Sequence, residues 1–225
     1  MDILKAIQDI ALFQGVAAEE LKAMLRHASY KKIKQGETVI NEQDPIRAFY
    51  VIIYGRLRLY KSSPEGKEQT LYLLGPGEPF GLSTAFATAF FPLSVVALEE
   101  SAVLIIPGAV MESLAGRETA LLLNIIRLLS IRLRESIALV EALALKGLPQ
   151  RLASFLMHLL DKEQVKKDAL ELAITQRELA KILGVTPEAL SRVLRKMNND
   201  GILKVAGRAI SILNEKALKT LADGD

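Results

Sequence analysis

Residues 108–145 contain no proline, and within them Leu122, Ile126, Leu129, Leu133, Ser136, Val140 and Leu143 recur in steps of four and three. That is the a/d spacing of helices that pack along a seam. A second apolar stripe, Leu121, Ile125, Leu128 and Leu139, runs beside the first. A helix packed only on its own domain accounts for one stripe. Two stripes call for cover on two sides, so the spacing predicts a long helix that lies on its own domain and pairs with a second copy in a parallel homodimer.

The chain on either side of this helix has a different period. Residues 3–28 show helical spacing through Ile3, Ile7, Ile10, Leu21, Met24 and Leu25. From about 31 to 107 the pattern becomes short alternating runs such as AFYVIIYGRLRLYK and LSVVALEESAVLIIP, separated by glycines 36, 55, 66, 75 and 77. In RLRLYK the basic residues Arg56, Arg58 and Lys61 alternate with Leu57, Leu59 and Tyr60, as a half-buried strand requires. Many short strands at this spacing predict a cupin-like β-jelly roll. After the long helix, Gly147 and Pro149 supply a stop and a new start, a hinge between domains. The fold class expected is α+β: residues 1–108 a β-roll with N-terminal helices, 109–146 the dimerisation helix, and 147–225 a winged helix-turn-helix.

Composition narrows the function. The 225 residues include no cysteine, which excludes disulfides, thiolate catalysis and a thiolate-held iron–sulfur cluster. The chain shows no membrane-length apolar run, and its first residues are unlike a signal peptide, so a cytoplasmic protein is expected. Residues 1–145 carry 15 basic and 16 acidic side chains, whereas 146–225 carry 14 and 10. Within 175–208 the count is seven against three, a local excess suited to a polyanion.

That basic window reads TQRELAKILGVTPEALSRVLRK. Thr175 and Glu178 form a capping box, Gly184 permits a sharp turn, Thr186 caps a second helix and Pro187 occupies its first position. Two short helices joined in this way are a helix-turn-helix. On the second helix Glu188, Ser191, Arg192, Arg195 and Lys196 share the polar side, while Leu190, Val193, Leu194 and Met197 point inward. Arg192 suits guanine and Glu188 a cytosine amino group, with Ser191 between them as a third base-reading side chain. The phosphate contacts expected are Thr175, Gln176, Arg177, Thr186, Arg195, Lys196, Lys204 and Arg208. The last two lie in NDGILKVAGRAISIL, whose two apolar runs around Gly207 predict the wing.

The order of these parts resembles the CRP/FNR superfamily of bacterial transcription regulators over nearly the whole chain. The resemblance is carried by GETVINEQD, AFYVIIYGRLRLYK, LLGPGEPFG, the long helix and the E-x-x-S-R of Glu188, Ser191 and Arg192. It implies a non-enzymatic homodimer that senses a small molecule or gas in its roll, binds a palindrome in double-stranded DNA and meets RNA polymerase. The E-x-x-S-R match implies half-sites of the TTGAT or TTGTGA type.

The stretch FGLSTAFATAFFPLSVV, residues 80–96, is uncharged. In members of the family that bind cyclic AMP, a glutamate and an Arg-Ser pair hold ribose and phosphate. Here those positions are Leu82 and Leu93-Ser94. The resemblance thus implies a pocket without a phosphate site, walled by Phe80, Leu82, Phe86, Phe90, Phe91, Leu93 and Ser94, with Leu129 and Leu133 of the long helix facing it. Cyclic AMP is not expected there. TPEALSR and GRAISIL resemble regulators that answer nitric oxide through heme, including regulators of the hybrid-cluster protein, which makes heme the leading expectation and His27 its axial ligand. His158 is the other histidine candidate, and Met24, Met111 and the tyrosines are weaker ones. The alternatives are an effector-free regulator, or a cupin enzyme carried by a DNA-binding module. A metal cupin needs clustered histidines, and residues 30–120 contain none.

Overall fold

The computed structural model describes residues 3–86, 90–163, 170–171, 174–207 and 209–224. They form two units: residues 1–63 with 71–135, and residues 64–70 with 136–225.

The first unit begins with α1 (Ile3–Gln8) and α2 (Ala18–Leu25). Strands β1 (Ser29–Ile33), β2 (Thr38–Ile40), β3 (Ala48–Tyr54), β4 (Leu57–Ser62), β5 (Glu68–Leu74) and β6 (Pro79–Phe80) follow. Helix α3 (Leu82–Phe86), strands β7 (Ser94–Ala97) and β8 (Ser101–Pro107) and α4 (Gly108–Arg117) come next, and α5 (Thr119–Leu145) belongs to the first unit up to residue 135 and to the second from 136. The strands make two sheets, ordered β1-β8-β3-β6 and β2-β7-β4-β5. Each strand sends alternate side chains to opposite faces. From β3, Tyr50 and Ile52 enter the core between the sheets, where they meet Leu57 and Leu59 of β4 and Val95 of β7. Phe49 and Val51 point the other way, into a second core with α1, α2, α4 and α5. Burial of both faces explains why AFYVIIY is a continuous apolar run.

Three local expectations change. Helical spacing runs unbroken through 108–145, yet the chain breaks at Glu118, which takes extended backbone (φ −106°, ψ 95°) between α4 and α5. Arg117, just before the break, is engaged by Ser113 at 2.6 Å and Glu20 at 3.0 Å. The strict alternation in β4 also yields: Arg58 is buried, its guanidinium 4.0 Å from the centre of the Tyr60 ring two residues along on the same face. Finally, Leu82–Phe86 form the short helix α3, which the sequence reading does not assign, with Thr84 Oγ1 donating to Ala48 O and Gly81 O.

Helix α5 is covered on one side only. Leu121 and Ile125 are buried and Leu128 and Leu139 half-buried, whereas Leu133 is 62% and Val140 66% exposed. Asn124 anchors the helix by donating to Leu12 O and Gln14 O.

The second unit continues with α6 (Leu148–Glu163), β9 (Leu170–Glu171), α7 (Gln176–Leu183), α8 (Pro187–Asn199), β10 (Leu203–Ala206), β11 (Ala209–Ile212) and α9 (Glu215–Asp223). Its three strands pair in the order β10-β11-β9. Leu152 and Leu156 of α6, Leu179 and Leu183 of α7, Leu190 and Leu194 of α8 and Leu218 of α9 are all buried. Among the described residues no helix is long and apolar enough to cross a membrane.

Candidate nucleic-acid interface and ligand cavity

The start of α7 is fixed by Thr175, whose hydroxyl accepts from the Glu178 backbone N–H at 3.2 Å. The helix stops at Gly184, which adopts φ +70°, ψ 32°, the left-handed conformation that suits glycine. Two residues on, Thr186 Oγ1 accepts from the Ala189 backbone N–H and Pro187 opens α8. These local devices set two helices at a turn, as the spacing predicts.

The two sides of α8 differ sharply. Leu190, Leu194 and Met197 are buried, and Val193 is half-buried. Glu188, Ser191, Arg192, Arg195 and Lys196 are exposed. Glu188 is held below the usual carboxylate range, first by its own backbone N–H, then by Thr186 and then by the Arg192 charge. It therefore remains an anionic acceptor, and with Arg192 four positions along it presents an acceptor and a donor fork on one face. Thr175, Gln176, Arg177 and Thr186 are exposed at the two helix starts, where backbone N–H groups favour anions. Lys204 is exposed on β10, whose partner β11 follows a turn with Gly207 at φ +63°. Arg208 lies outside the described residues.

The first unit holds a cavity of about 310 Å³ between β4, β5, the β6–α3 segment and α5. Of the side chains named from the sequence, Phe80, Leu82, Phe91, Leu93 and Leu129 line it. Four others lie elsewhere. Phe86 packs against the helical core, Phe90 and Leu133 are exposed, and Ser94 Oγ accepts from the Glu42 backbone N–H at 3.1 Å. Rings spaced irregularly along an uncharged stretch do not reveal which of them turn inward.

Sequence reasoning missed Leu59, Leu71, Tyr72, Leu74 and Leu128 in the lining, and above all Lys61 and Arg132. The expectation of a cavity without counter-charge is thereby corrected, since two cations reach it from β4 and α5. Alternation in RLRLYK already sets Lys61 apart from Tyr60, and Arg132 follows Leu128 at helical spacing, so a weak signal was present. Phe80 stacks on Tyr50 (centroids 4.7 Å, planes 10° apart) and meets Phe91 edge-on at 6.3 Å. Burial, with the Asp44 charge adding to it, pushes the Tyr50 phenol up to about 12, so this aromatic wall stays uncharged. His27 and Met24 lie elsewhere, in a second cavity of about 320 Å³ with α4 residues such as Val110 and Leu114. Among the described residues no three His, Asp or Glu side chains come together to hold a metal ion.

A β-roll with an internal cavity, a long helix and a capped helix offering bases a basic, polar face together define a DNA-binding transcription regulator. Residues 30–118 match the cyclic nucleotide-binding domain family, and residues 150–221 match the Crp-like helix-turn-helix domain family. The chain is 30% identical over 195 residues to the fumarate and nitrate reduction regulatory protein of Vibrio cholerae, spanning 85% of this chain and 78% of the relative. It is 29% identical over 213 residues to the cyclic AMP receptor protein of Thermus thermophilus, spanning 95% and 97%. Among solved structures, FixK2 from Bradyrhizobium japonicum is similar with a TM-score of 0.77 at 25% identity, over 86% of this chain and 96% of that one. The chain belongs to the CRP/FNR family of transcription regulators, and its relatives are regulators and not enzymes.

Proposed function

We propose that the protein is a homodimeric, cytoplasmic regulator that binds palindromic double-stranded DNA, meets RNA polymerase and responds to a small molecule held in the cavity of its first unit. The observation that carries this reading is α8, with Leu190, Leu194 and Met197 inward and Glu188, Ser191 and Arg192 outward. The N-terminal part of such a helix meets base edges in the major groove. The exposed row from Leu122 to Leu143 supports pairing with a second copy, since contiguous apolar surface of this kind marks an interaction site. Two copies carry two recognition helices, and an operator with two-fold symmetry follows.

Selection of bound duplexes from random DNA, followed by footprinting and sedimentation of the free protein, tests the reading. A dimer protecting a two-fold-symmetric site is expected. A monomer that binds all sequences alike would overturn it.

Cyclic AMP is not proposed as the effector of this chain. Leu82 and Leu93 wall the cavity where the resemblance places ribose and phosphate contacts, and Ser94 is turned to Glu42. Heme held by His27 does not fit either, because His27 belongs to the other cavity. Among the residues lining the roll cavity there is no histidine or methionine. Of the donors there that ligate iron, the Tyr72 ring lies 5.1 Å from the Arg132 guanidinium, and Lys61 is paired with Glu42. The visible spectrum of the protein with added hemin tests this directly. No stoichiometric Soret band is expected, and a band that moves with nitric oxide would restore heme sensing. Whatever the guest, it controls DNA binding only by preferring one state of the protein over another.

A further inference from the structure

We infer that the cavity of the first unit accepts a small apolar monocarboxylate, an inference that rests on reading this cavity as the effector site. Its volume of about 310 Å³ suits a small organic molecule. Leu59, Leu74, Phe80 and Phe91 give it an apolar wall, and its lining contains Lys61 and Arg132 but no acidic side chain. The acids that partner these cations lie outside the lining. Glu42 pairs with Lys61, and Glu135 meets Arg132 at 2.8 Å. Glu78, also outside the lining, forms a second ion pair with Arg132 at 3.6 Å. Its other oxygen accepts from the Gly75 backbone N–H at 2.8 Å, which fixes it at the turn before β6.

A guanidinium carries five N–H donors in a planar fork and matches a carboxylate in two parallel bonds. The Arg132 side chain is only 19% exposed, and its charge lies 5.1 Å from the Tyr72 ring centre, which limits where the fork can turn. A guest carboxylate meeting Arg132, with Lys61 nearby in the lining, adds the anion that the lining lacks. An uncharged guest forgoes a charge-assisted bond of this kind. A guest with several charges would have to place some of them against leucine and phenylalanine, which is costly. One carboxylate on an apolar body satisfies both ends of the cavity.

Calorimetric titration of the full-length protein tests this with decanoate, its amide decanamide, cyclic AMP and hemin as probes. Decanoate is expected to bind once per chain, at least about tenfold more tightly than decanamide, the difference charge-assisted hydrogen bonds supply. Arg132→Gln should abolish that preference and Arg132→Lys should restore part of it. Lys61→Met should reduce it less. The ratio of acid to amide in one variant does not depend on how well that variant folds, so a merely structural role for Arg132 would leave it unchanged. No binding of decanoate, equal affinity for acid and amide, a preference unmoved in Arg132→Gln, or tighter binding of cyclic AMP or hemin would each overturn the assignment. Operator binding is measured on the same samples. A protein that recognises its operator yet fails these titrations refutes the carboxylate alone, whereas loss of operator specificity refutes the regulator reading and leaves the titration to stand by itself.

Discussion

Helices α5 and α8 solve the same packing problem and leave opposite remainders. Each buries one apolar stripe in its own unit: Leu121 and Ile125 on α5, Leu190 and Leu194 on α8. On α8 the uncovered side carries Glu188, Ser191, Arg192, Arg195 and Lys196; on α5 it carries Leu122, Ile126, Leu129, Leu133 and Val140. Water solvates the first side well and the second badly. The difference teaches what each helix is waiting for. An exposed cationic face suits a polyanion and reads it by hydrogen bonds, while an exposed leucine row suits another protein and gains by losing water.

The largest effect that can break this contrast comes from charging α5. Leu133→Asp combined with Val140→Asp should convert the protein to a monomer in sedimentation and weaken palindrome binding by roughly 100-fold or more, because two linked sites bind with avidity that one lacks. Palindrome affinity unchanged by these substitutions would mean the apolar face does not govern DNA binding. Next in size, Arg192→Ala should cost about 1–3 kcal/mol on the selected operator and relax preference at one base pair, read by binding to single-substitution duplexes. Lys204→Ala should weaken specific and random DNA alike and lower the salt slope by about one, as a phosphate contact does. Should the Arg192 variant also lose affinity uniformly, the polar face of α8 would be merely electrostatic. Thr186→Ala removes the acceptor for Ala189 N–H and should lower stability in denaturant by about 1 kcal/mol.

The smallest effect concerns acid. A carboxylate whose pKa is depressed stays ionised above that lowered value and loses its charge only as pH falls through it. Glu188 is depressed in this way, so its contribution to base preference should persist from pH ~8 down to about 5, near the ordinary glutamate value of about 4.3. Binding preference that fades at mildly acid pH in the wild type, and not in Glu188→Gln, would contradict the arrangement around Thr186.

The same two helices show what the sequence makes legible. The helix-turn-helix is written in short-range signals: Thr175, Gly184, Thr186 and Pro187 act on neighbours within a few residues, and the backbone follows them. The stripes of α5 are equally readable, being a matter of period. The cavity is not. Lys61 and Arg132 stand 71 positions apart, taking the difference of their numbers, and no local rule brings β4 to α5. The ring run from Phe80 to Phe91 misled for a related reason. All four rings lie in one uncharged stretch and the resemblance set them on one wall, yet Phe80 and Phe91 line the cavity while Phe86 packs on the helical core and Phe90 is exposed. Arg58 broke the alternation because a neighbouring tyrosine ring can shelter a guanidinium, and Glu118 broke the long helix by taking extended backbone between α4 and α5.

Leu129 belongs to two surfaces at once, as a wall of the cavity and a member of the bare row on α5. A substitution there that reshapes the room for a guest also redraws the contact offered to a second copy. Divergence of the chain toward new signals is therefore less constrained through Leu59, Leu74 or Phe91, which wall the cavity but lie off the bare row, and hardest through the one residue that would have to satisfy two neighbours in a single step.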